Sequence, residues 1–118
     1  LMPTEAEAFS ERCWVRAVQA IQLDTALADC NRALTLEPNN YRALDRRGFV
    51  YFRLNQLDKA LADYGVLLTA SPRQASALYM RGVVRRRMGD GGGDADIAAA
   101  KAIDPKIEET YAKYGVTP

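Results

Sequence analysis

Two stretches decide the fold: Ala26-Leu27-Ala28-Asp29-Cys30 and, 34 residues later, Ala60-Leu61-Ala62-Asp63-Tyr64. The same step carries Pro38 to Pro72, Ala43-Leu44 to Ala77-Leu78, Arg47-Gly48 to Arg81-Gly82 and Leu54 to Met88. Pro105 stands a further 33 residues beyond Pro72. Self-similarity at such a period marks stacked supersecondary units, none of which can bury its apolar face alone. Stacks of this kind build extended concave surfaces, so the repeat itself points to a chain that holds a partner.

Helical spacing fills the repeat. Ala6, Phe9, Cys13, Ala17 and Ala20 recur at three- and four-residue steps, which predicts a first helix from about Thr4 to Ile21. Thr4 and Glu7 have the spacing of a capping box. A second helix is expected from Asp24 or Thr25 to Leu36, stopped by Pro38 and the turn residues Asn39-Asn40. Further helices are read over 41–54, 57–69, 73–88 and 95–103, with breaks at Asn55-Gln56, Ser71-Pro72 and Gly89-Asp90-Gly91-Gly92-Gly93. Asp104-Pro105 reads as an N-cap and first helical position, opening a last helix that runs to about Tyr114, with Gly115 closing it. No period-two alternation is long enough for a strand.

Gly48 and Gly82 fall in the middle of helices, where glycine costs roughly 1 kcal/mol relative to alanine. Recurrence at one register argues for a close helix contact, and each is expected to face Ala60 or its third-unit counterpart.

Composition narrows the function classes. At 118 residues, 48% hydrophobic and 26% charged, the chain can bury a core without metals and is not a disordered segment. No apolar run approaches the length of a membrane span. The absence of histidine removes the commonest general base and zinc ligand, and two cysteines are too few for a closed structural zinc site. No catalytic residue, metal site or cofactor is expected. A net charge of +1 argues against wholesale binding to nucleic acid. The chain starts at Leu1 rather than methionine, which points to a fragment or processed form, and both cytoplasmic and exported locations stay open.

The 89–93 glycine run lacks the Gly-Lys-Ser/Thr ending of a phosphate loop, and Asp90, Asp94 and Asp96 lack EF-hand spacing. The run is read as an interhelix turn, with Asp94 capping the next helix. Cys13 and Cys30 sit symmetrically about the first turn, which puts them at one height in a folded-back helix pair. They are expected to be neighbours, either as a disulfide or as two buried thiols.

The pattern resembles the tetratricopeptide repeat. The middle unit carries the resemblance best, at Leu44, Gly48, Tyr51, Leu54, Ala60, Tyr64 and Pro72. The third unit matches at Leu78, Gly82 and Pro105, with Arg85 in place of an aromatic; the first matches at Ala26, Cys30, Ala33 and Pro38, with Trp14 at the glycine position. The resemblance implies an all-α fold: a right-handed superhelical array of three antiparallel helix pairs plus a C-terminal capping helix. Its units would span about 5–38, 39–72 and 73–104, with a solvating end helix over 105–114.

In that family the first helix of each pair lines a concave groove. Carried across, this implies a peptide-binding groove of Arg42, Arg46, Phe49, Phe52, Arg53, Tyr79, Arg86 and Arg87, with Glu11, Arg12, Val15 and Gln19 from the first unit. Arginines and aromatics together suit extended peptides with carboxylates. Four arginines against Asp45 give residues 41–55 a charge of +3, five arginines give 73–88 a charge of +5, and 89–118 carry −3. The function expected is a non-catalytic protein- or peptide-binding scaffold, for acidic or extended segments. The alternatives are a repeat fragment of a larger enzyme or regulatory protein, and a structural module that self-associates.

Overall fold

The structure, a computed structural model, describes residues 2–118. All its regular structure is helical: α1 (Glu5–Gln19), α2 (Leu23–Leu36), α3 (Tyr41–Arg53), α4 (Leu57–Ala70), α5 (Ala75–Arg87), α6 (Gly92–Ile103) and α7 (Ile107–Ala112). Each of the first six helices packs on the next in sequence. α1, α3 and α5 also touch one another in order, whereas α2, α4 and α6 do not. The odd helices therefore form the inner side of the stack, and α7 closes it against α5 and α6. The body measures 38 × 26 × 24 Å.

Local chemistry sets the helix limits. The capping box at Thr4 and Glu7 is formed, and Asn40 caps α3 by accepting from the Ala43 amide at 3.0 Å. Asp94 does not cap α6. That helix begins two residues earlier, at Gly92, and Asp94 lies in its first turn, paired with Arg86. Asp104 and Pro105 do not open α7 either. Asp104 caps the end of α6, its carboxylate accepts from the Lys106 amide at 3.1 Å, and α7 spans only Ile107–Ala112. Gly115 does take the left-handed conformation expected of it, with φ +79°.

The three pairs share one contact and one clamp. In the second pair a side chain at Gly48 would strike the Tyr64 ring, its Cβ falling 2.8 Å from Cζ. The partner of Gly48 is thus Tyr64, one turn beyond Ala60. In the third pair a Cβ on Gly82 would fall 2.6 Å from Ile97 and 2.7 Å from the Gly93 carbonyl. Gly93 is the third-unit counterpart of Ala60, so here the expected facing residue is present. In the first pair the same place holds the Cys13–Cys30 disulfide, with Cα atoms 5.5 Å apart and both residues buried.

One residue before each contact is an arginine that grips a buried aspartate on the following helix. Arg12 meets Asp29 at 2.8 and 2.7 Å, Arg47 meets Asp63 at 2.8 and 2.7 Å, and Arg81 meets Asp96 at 2.9 and 2.8 Å. Each grip is a pair of parallel N–H donations to the two carboxylate oxygens, the geometry that fits guanidinium best. Arg16 and Arg85 add a third donor to Asp29 and Asp96.

These contacts give the true register: Arg12-Cys13-Trp14 corresponds to Arg47-Gly48-Phe49 and Arg81-Gly82-Val83. The step into the second unit is 35 for the first helix of the pair and 34 for the second helix. The glycine position of the first unit is therefore held by Cys13, and Trp14 is the counterpart of Phe49. The extra residue sits in the first turn. There Ala20 and Gln22 both take positive φ (54° and 47°), where the later turns use Asn55 alone (59°) and Gly89 (79°).

Candidate functional site

The inner side divides into a filled half and an open half. Phe49, Phe52 and Tyr79, expected as groove floor, are buried. Residues 107–116 of the same chain cover Phe49 and Tyr79, while Phe52 packs on Phe49 beneath Arg87. Tyr111 stacks on Tyr79 with ring centroids 5.3 Å apart and lies 5.9 Å from Phe49. Tyr114 meets the Trp14 ring edge-on at 5.5 Å and Phe49 at 6.3 Å. Ile107, Tyr111 and Val116 are all buried while Glu109, Ala112 and Lys113 are exposed, so the closing segment seats one apolar face on the stack as a plug.

Two predicted groove arginines hold that plug. Arg53 lies over the Phe49 ring at 4.8 Å. It donates to the carbonyls of Ala17 and Val18 at the end of α1 and to the carbonyl of Tyr114. The last carbonyls of a helix lack intrahelical partners, so one guanidinium adds to the Ala20 amide at the end of α1 and tethers the plug to it. Arg87 lies over Phe52 at 5.0 Å and donates to the carbonyl of Thr117 at 3.2 Å. Arg86 turns away to Asp94 at 2.6 Å.

The open half lies toward the starts of α3 and α5. One cleft of about 860 Å³ runs between α1 and the start of α3, along Glu7, Glu11, Asn40, Tyr41, Arg42 and Arg46. A second of about 440 Å³ adjoins it, walled by Trp14, Asp45, Ser76 and Tyr111. Tyr41, Arg42 and Arg46 line both. Tyr111, part of the plug, is thus also a wall of the open half.

Arg46 lies over the Trp14 ring at 5.8 Å, donates to the Ser10 hydroxyl at 2.9 Å and pairs with Glu11 at 3.3 Å. Desolvation weakens its hold on its proton, Glu11 opposes that effect, and the neighbouring Arg42 adds to it. Asp45 accepts from the Ser76 hydroxyl at 2.9 Å. Burial pushes its pKa up from the ordinary 3.8 to about 6, against the pull of Ser76 and Arg46. Arg42 is exposed and, among the described residues, has neither ion pair nor side-chain hydrogen bond.

The register correction changes the first unit's contribution. Arg12 is committed to Asp29 yet still lines the larger cleft, beside Ser10, Glu11 and Val15, and Trp14 walls the second. Arg47, Arg81 and Arg85 are likewise committed to Asp63 and Asp96. Asp29 and Asp63 stand in the two repeated stretches, and an acid recurring among apolar residues is the sequence signal of the clamps. No protein-family model matches the sequence, and no curated protein matches it at a significant level.

Proposed function

We propose that this chain is a short array of the tetratricopeptide kind, a right-handed superhelical stack of three helix pairs whose inner side binds a protein or peptide without catalysis. The repeated register, and the mutual contact of the odd helices alone, support that architecture. The ligand is an extended segment lying across the two joined clefts, with a carboxylate on Arg42. One observation carries the choice. Arg42 stands where the clefts meet and is free among the described residues, while Arg46, Arg53, Arg86 and Arg87 are each engaged within the chain. An unengaged guanidinium beside exposed Tyr41 offers a bidentate contact with little reorganisation.

The test is a synthetic peptide array scanned for acidic content, with hits measured by fluorescence anisotropy. Arg42→Glu should weaken binding of acidic hits by about tenfold or more, and wild-type binding should fall as salt rises. Hits that ignore both the substitution and the salt would remove Arg42 from the site.

A further inference from the structure

The filled half of the inner side has the features of an occupied binding site. Its occupant is held by two means. Aromatic rings from residues 111 and 114 stack among Trp14, Phe49 and Tyr79, and arginines outside the segment grip its main-chain carbonyls. The second means is indifferent to sequence, because every peptide has carbonyls. The first asks only for two aromatic residues three apart. α7 itself spans six residues, far below the length at which a helix stands alone in water, so its order depends on the surface beneath it.

The fit is also incomplete. The Tyr79 ring is fully buried under Tyr111, and its hydroxyl, sealed from solvent, has no hydrogen-bond partner among the described residues. A sealed hydroxyl is costly to leave unpaired. A segment that presents a hydrogen-bond acceptor at that point satisfies a group that the closing segment leaves unsatisfied.

We infer that residues 107–117 are an internal stand-in for a partner segment: a peptide with two aromatic residues three positions apart, then a small residue and an aliphatic one. Such a segment displaces the plug, seats its rings on Phe49 and Tyr79, and gives its carbonyls to Arg53 and Arg87. This inference rests on the reading of the inner side as a peptide-binding face. It concerns the opposite half from Arg42, however, so the two stand or fall separately. Because Tyr111 also walls the open cleft, displacement enlarges that cleft and joins the two halves into one channel.

The experiment keeps the full chain and loosens the plug with Tyr114→Ala and Val116→Ser. The probe is a fluorescein-labelled peptide with the sequence of residues 107–118. We expect the loosened variant to bind it about tenfold or more tightly than wild type does. Adding Arg53→Gln should remove most of that gain, Arg42→Gln should leave it intact, and a probe with alanine at both tyrosines should not bind. Equal affinity of the loosened and wild-type chains for the probe overturns the inference. So does a gain that appears only with dimers in light scattering, since that means exchange between copies. If the loosened variant does not fold, hydrogen exchange on wild type decides. Amides of 110–116 should exchange about a hundredfold or more faster than those of α3 and α5. Equal protection makes the segment an inseparable part of the core and ends the proposal.

Discussion

The first helix pair and the two that follow solve one packing problem with different chemistry. All three place an arginine on a buried aspartate and, one residue later, bring the two helices close. In the second and third pairs a glycine permits the approach, and a large side chain from the opposite helix fills the space: Tyr64 over Gly48, Ile97 over Gly82. In the first pair both sides are small, and a covalent bond holds Cys13 to Cys30. The difference shows that the clamp is the constant of this repeat and the neighbouring contact is the variable. A disulfide replaces the apolar burial that Tyr64 supplies in the second pair. It also suits an oxidising compartment.

The glycine contacts are where this comparison breaks most severely. At Gly82 an added Cβ meets backbone as well as side chain, because the Gly93 carbonyl stands 2.7 Å away, and backbone cannot swing aside. At Gly48 the nearest atoms are those of the Tyr64 ring, a side chain with more freedom to shift than backbone. We expect Gly82→Leu to cost more than about 4 kcal/mol, or to prevent folding, and Gly48→Leu to cost about 2–3 kcal/mol. Urea denaturation of both variants measures the difference. The reverse order would mean that ring packing, not backbone approach, sets the helix distance.

The covalent version comes next. Replacing both Cys13 and Cys30 with alanine removes a crosslink between residues 17 apart, which corresponds to about 3 kcal/mol in the chain-entropy account. Wild type under strong reductant should lose a similar amount and retain its helical circular dichroism. No change in either case would show that the Asp29 clamp alone holds the first pair.

The register is hidden in the first pair and visible in the others because of the turns. The second and third pairs turn at Asn55 and Gly89, residues that accept positive φ and announce themselves. The first pair turns through Ala20 and Gln22, whose positive φ no propensity signals, so the inserted residue is hidden and a uniform step of 34 puts Trp14 opposite Gly48. Helix existence was legible nearly everywhere because apolar spacing reports burial. The contact of Cys13 with Cys30 is legible because the two stand symmetrically about the first turn, and a shift of one residue in register leaves them at nearly one height. The plug was not legible. Tyr111, Tyr114 and Val116 carry no repeat, and Phe49 and Tyr79 look the same in sequence whether a partner or the chain itself covers them.

The clamps give a smaller effect and sharpen the comparison further. Asp63→Asn keeps the shape but removes the charge that Arg47 holds with two donors, for a cost of about 2 kcal/mol. Asp29→Asn in the first pair should cost less while the disulfide is intact. It should approach the Asp63 value once Cys13 and Cys30 are replaced, because the crosslink and the clamp hold the same two helices. Thermal melts of the single, double and combined variants form the necessary cycle. Strict additivity between Asp29→Asn and loss of the disulfide would show that the two devices act independently.

The smallest effect lies at Asp45, where the third-unit counterpart is Tyr79 and the first-unit counterpart is Ser10. Only the second unit puts a carboxylate there, and burial raises its pKa from 3.8 to about 6. The folded chain therefore binds that proton more tightly than the unfolded chain does. Above about pH 6 both forms are ionised and the folded state bears the full cost of a desolvated charge. As pH falls from about 6 to about 4 the folded state takes up the proton first and gains stability. Asp45→Asn removes the charge and keeps an oxygen for the Ser76 hydroxyl. It should stabilise the chain by about 1–2 kcal/mol near neutral pH, and by progressively less on acidification until the two proteins converge near about pH 4. A stability difference that stays constant over that range would mean that the Asp45 carboxylate is solvated in the cleft. The polar wall beside Tyr111 would then impose no electrostatic cost on the fold.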